Sequence, residues 1–218
     1  MLSKNLVSPL LAVALLFFVG TPLARAQAES PVTPVKSEIQ LEGGLSFGNI
    51  HLFGFSDNRR ILPVGFEYDR HSFGGLIGSK VDYVAEILPL VLLNEPARYS
   101  LNGRALTKDR QWQYGAGLTP IGVRMIWRPA GSLQPYLIGK GGVLYFKNRV
   151  LSPEGTHLQF SAEFGGGVEK AITNRIGWRL GYTDFHFSNA NIGRHNPGID
   201  LMEVTAGLAI RLAPGHRY

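Results

Sequence analysis

Cysteine is absent from the 218 residues. Disulfides, thiolate nucleophiles and cysteine–metal sites are excluded together. Long apolar runs are missing too. The stretch Leu10 to Val19 falls far short of the ~20 residues a spanning helix needs, and no other run reaches that length. Helix-type periodicity in Ala, Leu, Glu and Lys is scarce. Paired metal-ligand spacing is lacking: His51, His71, His157, His195 and His216 form no H-E-x-x-H pattern, so neither a metal nor another cofactor is expected. There is no clustered basic stripe, which argues against a nucleic-acid partner.

The N-terminus has the build of a secretory signal. Lys4 supplies the positive start, Leu10 to Val19 the apolar core, and Ala24-Arg25-Ala26 the small-residue cleavage site. Residues 1–26 are read as a signal peptide, 27–36 as a flexible leader, and 37–218 as one outer-membrane barrel domain. Losing Lys4 and Arg25 with the signal lowers the formal charge from +6 to +4. A mildly basic exported chain suits an anionic partner such as lipid phosphate.

What is abundant is glycine, 27 residues, among 44% hydrophobic ones. That mixture suits glycine-softened strands. The first is the clearest: Ile39, Leu41, Gly43, Leu45 and Phe47 alternate with Glu38, Gln40, Glu42, Gly44 and Ser46. Seven more runs follow, near 60–72, 80–92, 119–128, 133–147, 156–170, 175–188 and 199–212. Several have the ~9–11 residues of a tilted bilayer-spanning strand. The connections alternate: 74–78, 129–132 and 171–174 are short, whereas 54–59, 93–118, 148–155 and 189–198 are mostly longer. Short periplasmic turns and longer outer loops are the habit of outer-membrane barrels. The predicted fold is all-β, an eight-stranded antiparallel up-and-down transmembrane barrel; a periplasmic sandwich or lipocalin-like barrel is the alternative. Phe53, Phe55, Tyr145, Phe146, Phe185, Phe187, Trp127 and Trp178 are expected to form interfacial girdles. A pore is disfavoured, because side chains fill so narrow a barrel.

The chemistry gathers near the end of the chain. On the seventh strand Trp178, Leu180, Tyr182, Asp184, His186 and Ser188 share one face. On the eighth, Asp200 shares a face with Met202, Val204, Ala206, Leu208 and Ile210. His186, Ser188 and Asp200 therefore project from faces that otherwise look lipid-facing, where polar groups are costly. Opposed residues of an antiparallel pair lie about 5 Å apart, so Asp200 is placed to orient His186, and His186 to take the proton of Ser188. Asn189, Asn196 or backbone amides of the intervening loop are candidate oxyanion donors, and Arg194 a candidate for a lipid phosphate. Glu203 falls on the opposite face; Asp184 shares the face of His186 and is a rival acid. A plain turn sequence with an interfacial histidine would look similar, and a non-enzymatic barrel that anchors, adheres or organises lipid is the competing reading.

His186-Phe-Ser188-Asn189-Ala190-Asn191 followed by Asn196-Pro197-Gly198-Ile199-Asp200 resembles the signature of the lipid A 3-O-deacylase (PagL-type) and acyloxyacyl hydrolase-related outer-membrane family. Pro120 to Trp127, Pro135 to Phe146 and Glu163 to Glu169 are similar to it as well, and the resemblance spans roughly 37–212. It implies an eight-stranded outer-membrane barrel that hydrolyses an ester-linked acyl chain of lipid A within lipopolysaccharide. It further implies Ser188 as nucleophile, His186 as base, and Asn189 and Asn196 near the oxyanion. The family acid is a glutamate in the 3-O-deacylases, and Asp200 stands at that position. The chain also departs from many outer-membrane barrels in its end, where Pro214 and Gly215 precede the terminal Tyr218. Nothing in the sequence indicates an oligomeric state.

Overall fold

Period-two alternation builds eight strands: β1 (Ser37–Ile50), β2 (Arg60–Leu76), β3 (Ser79–Glu95), β4 (Gln111–Ile126), β5 (Leu133–Phe146), β6 (Leu158–Ala171), β7 (Ile176–Ser188) and β8 (Ile199–Arg211). Each pairs antiparallel with the next, and β8 returns to β1, so the sheet closes into a barrel. The computed structural model describes residues 37–99, 102–127, 133–173 and 175–212, the side chains of 71–73 excepted. The signal and leader expected over 1–36, the turn expected at 129–132 and the segment after Leu212 lie outside the described residues.

The β1–β8 seam sets the faces of both strands. Leu41 pairs with Leu208, Gly43 with Ala206 and Leu45 with Val204 on the outside; Gln40 pairs with Ala209 and Ser46 with Glu203 on the inside. A register shift between Ser46 and Gly48 keeps the two strands paired to their ends. Outward positions around the barrel are apolar and open, as with Ile87 (58% exposed), Phe164 (68%) and Ile121 (72%). That belt is what a lipid-facing surface requires.

The interior has three levels. At the end carrying the long connections, Ile61, Val91, Leu93, Leu144, Phe146, Phe185, Phe187, Ile199 and Leu201 form an apolar plug. Below it lies an ion network. Arg124 Nη2 lies 2.6 Å from Glu38 Oε1 and Arg124 Nη1 lies 2.9 Å from Asp69 Oδ2. Arg179 also reaches Asp69, at 3.0 Å, and bonds Glu67. Lys140 Nζ lies 3.0 Å from both Glu86 and Glu163. Buried charges need such partners. Val84, Ile126, Tyr136 and Ile138 form a smaller apolar group.

Two expectations are corrected. β4 starts at Gln111, well before 119, and pairs with β3 out to Glu95. The loop expected over 93–118 is thus confined to 96–110. Gln111-Trp-Gln-Tyr is an alternating strand start whose signal Gly115, Gly117 and Pro120 interrupt; the pairing shifts register between Leu88 and Val91 and again between Leu118 and Ile121. Second, Phe146, Phe185 and Phe187 are not girdle residues. Parity turns them inward, and they are buried in the plug. Tyr145, Phe53 and Phe55 are exposed at the loop end, as expected.

Replacing Ile87, near the middle of β3, by arginine is expected to destabilise the inserted barrel by about 2–4 kcal/mol, read by denaturant unfolding in lipid vesicles. Arg124→Ala removes the cation closest to Glu38 and Asp69 and leaves Arg179 alone to serve both; it is expected to cost about 3–5 kcal/mol in the same measurement.

Candidate active site

β7 and β8 form a hairpin whose loop, 189–198, lies at the same end as the β1–β2 loop, 51–59. At the top of the hairpin His186 pairs directly with Asp200 across the strands. Both point outward, because Phe185 and Phe187 take the inward positions of β7 and Leu201 that of β8. His186 Nδ1 lies 2.5 Å from Asp200 Oδ1. The carboxylate thus fixes the ring and leaves Nε2 turned away from it. Asp200 and the imidazole are where strand parity places them.

An outward carboxylate at a lipid surface calls for protection, and Asp200 has it. The residue is 0% exposed. Its Oδ2 accepts the backbone N–H groups of Leu52, Phe53 and Gly54 at 2.7, 2.7 and 2.8 Å. Hydrogen bonds to the charged form favour the ionised carboxylate. The Phe53 ring meets His186 edge-on at 5.7 Å and 75°. The sequence offers no side-chain signal for these amides, since any residue carries an N–H. Gly54 between Phe53 and Phe55 is the one visible mark. A Cβ there would fall 2.5 Å from Ile199 Cα and 2.7 Å from Gly198 C, so only glycine lets the two loops touch.

Ser188 lies two residues beyond His186 on the same face and is half-buried. Its hydroxyl accepts the Ala190 N–H at 3.4 Å. Among the described residues no hydrogen bond joins it to the imidazole, so Ser188 Oγ has to swing to meet Nε2. Catalytic contacts are often loose before substrate arrives. Gly198 closes the space between them: a Cβ there would lie 3.4 Å from His186 Cε1 and 3.5 Å from Ser188 Cβ. Its φ of 55° is left-handed, which glycine adopts without strain.

The asparagines divide their roles. Asn189 is buried, its Oδ1 accepting Asn191 N–H at 3.0 Å and its Nδ2 donating to His195 O at 2.9 Å. Its side chain therefore pins the loop, with one of its two Nδ2 hydrogens taken by His195 O. Asn196 Oδ1 accepts the Asn189 N–H at 3.0 Å. That bond fixes the amide plane and leaves Asn196 Nδ2 with no partner among the described residues. Ala190 and Asn191 take left-handed φ values of 47° and 64°. Such conformations cost about 1–3 kcal/mol and gather at functional sites. Arg194 is exposed in the loop and stands apart from the His186–Asp200 pair.

The rival acids are not engaged. Glu203 faces the interior, 1% exposed. Asp184 shares the outward face, yet its Oδ1 is buried without a partner, and the ring nitrogen that would need it is taken by Asp200.

The lipid A 3-O-deacylase (PagL) family model matches residues 91–209, which covers most of the barrel and the β7–β8 hairpin as far as Ala209. No curated protein matches the chain. Among solved structures, the outer membrane enzyme PagL is 14% identical, covers 80% of this chain and 99% of its own, and superposes with a TM-score of 0.55. Neisserial surface protein A (NspA) is 10% identical, with 81% and 97% covered and a TM-score of 0.52. Both likenesses are of fold: an outer-membrane barrel. With the family matched over more than half its length, the chain belongs to the lipid A 3-O-deacylase (PagL) family, an outer-membrane family of ester hydrolases acting on lipid A.

Proposed function

We propose that the protein removes an ester-linked acyl chain from lipid A by a Ser188–His186–Asp200 mechanism, with the 3-O ester named by its family as the bond cut. The observation that carries this reading is the 2.5 Å contact between His186 Nδ1 and Asp200 Oδ1. It sets the tautomer in which Nε2 is free to act as base toward a serine on the same face.

Ser188 Oγ attacks the ester carbonyl as His186 Nε2 takes its proton. The tetrahedral oxyanion is met by Asn196 Nδ2 and the Ala190 N–H, donors of the loop that follows Ser188. Collapse expels the sugar alkoxide, which takes the proton from His186. Water, deprotonated by the same imidazole, then releases the fatty acid and restores Ser188. Asp200 stays ionised throughout and stabilises the imidazolium. Arg194, exposed in the loop above, suits a phosphate of the substrate headgroup.

One observation favours a non-enzymatic barrel instead. The Ser188 hydroxyl lies against Ala190 N–H and not against the imidazole. That reading predicts no change in lipid A on expression.

Mass spectrometry of lipid A from cells expressing the protein is expected to show loss of one acyl chain. Ser188→Ala and His186→Ala are expected to show none, with activity in micelles down by at least about a thousand-fold. Equal acyl number with and without the wild-type protein would overturn the proposal. Gly198→Ala is expected to lower activity about ten- to a hundred-fold with the barrel intact, because the new methyl crowds the path of Ser188 toward His186 and strains a left-handed φ.

A further inference from the structure

The His186–Asp200 pair depends on a loop that belongs to neither of its strands. Three consecutive amides of the β1–β2 loop converge on one oxygen of Asp200. The other oxygen is left for His186. With one oxygen held on each side, the carboxylate cannot turn about its own axis.

The loop is held in this shape by His51. Its Nδ1 lies 3.1 Å from Gly54 O, and its Nε2 lies 3.1 Å from Asp57 Oδ1. Both partners are acceptors, so the ring lies between the two ends of the turn that presents the amides, and a neutral imidazole donates its one N–H to one of them at a time. The same loop is stitched to the one that follows Ser188: Phe55 N–H donates to Pro197 O at 2.8 Å and Ser56 N–H to Gly198 O at 3.1 Å. Gly54 lies against Gly198 and Ile199, and Phe53 lies against the imidazole.

We propose that the β1–β2 loop is a positioning element for the hydrolysis, in which the Leu52–Phe53–Gly54 amides fix Asp200 and His51 and Gly54 are the side-chain positions that keep those amides in place. The inference rests on Asp200 acting through His186 as set out under the proposed function. It explains how an aspartate serves where the family's acid is a glutamate. The shorter carboxylate stays close to β8, and the loop brings three donors down to it. Convergent consecutive amides bind an anion without a neighbouring cation. Among the described residues, the positive charge that then arises beside Asp200 is the imidazolium formed during the reaction.

The test uses the full-length protein folded in detergent micelles, with purified lipid A as substrate and a fluorophosphonate as a probe of Ser188. Intact folding is read by heat-modifiable gel migration. Gly54→Ala is expected to lower kcat about a hundred-fold and His51→Ala about ten-fold, with KM within about two-fold of wild type. His51→Asn keeps a side-chain donor toward Gly54 O and is expected to recover most of the loss. In an Asp200→Asn background the same His51→Ala change is expected to alter the rate of Ser188 labelling by less than about two-fold, because its route to the serine has already been cut. A wild-type kcat in folded His51→Ala, or an undiminished loss in the Asp200→Asn background, would overturn the proposal. If Gly54→Ala does not fold, the His51 series decides alone. Should wild-type protein leave lipid A unchanged, the substrate reading fails, while the labelling rates still report on the loop.

Discussion

Closure of β8 onto β1 is the constraint from which the rest follows. A barrel has no free edge at which register can slip, and the side-chain period is two, so a shift of one residue would exchange every inward and outward group. With Leu41 against Leu208 and Ser46 against Glu203, the two strands show lipid on one side and each other's polar groups on the other. The β7–β8 pairing then carries this assignment to His186 and Asp200, which stand directly opposite each other on the outward face, with Ala162 and Ile50 as their neighbours on the other sides. The site is a consequence of register before it is a consequence of loop structure.

The barrel handles its two sets of buried carboxylates differently. Inside, Glu38, Asp69, Glu86 and Glu163 lie in ion pairs with Arg124, Arg179 and Lys140. Such pairs are worth little net stability when intact and cost much when broken. Asp200 is held by amide dipoles, and among the described residues its one cationic contact is the imidazole when protonated. The charge of Asp200 is therefore uncancelled in the resting site and is opposed only when His186 gains a proton. An interaction that strengthens as the proton moves is the kind that lowers a barrier, whereas a permanent arginine partner would have weakened it.

The alternation of Ile39 through Phe47 made β1 and its faces legible, and the spacing of His186, Ser188 and Asp200 made their shared outward face legible as a candidate site, because both rest on side-chain type at fixed parity. β4 was harder to read, since Gly115, Gly117 and Pro120 break its alternation where the pairing shifts register. Phe185 and Phe187 look like girdle aromatics until β7 is anchored at His186, which turns the odd positions inward. The clamp from residues 52–54 was not legible at all. It acts through backbone N–H groups, and its partner is distant in sequence. Asn189 and Asn196 were legible as loop polar groups, yet only the structure shows that Asn189 bonds within its own loop through both ends of its amide while Asn196 accepts the Asn189 N–H.

The direction in which the site opens also bears on how an acyl-enzyme would turn over. Inward of His186, the barrel at this level is filled by Phe146, Phe185, Phe187, Ile199 and Leu201, so neither substrate nor water can arrive through the interior. Outward lies the apolar belt, which receives an acyl chain without removing it from lipid. Ser188 is the last residue of β7 and borders the loop, whereas His186 lies two residues deeper. In the proposed reaction the ester would meet Ser188 where hydrocarbon gives way to the loop layer, and the hydrolytic water would reach His186 from the loop side. Keeping these two routes of approach apart would let a single imidazole serve a greasy first step and a wet second one. This is a physical reason for placing the pair at the rim of the barrel, since deeper in the belt water could not reach it.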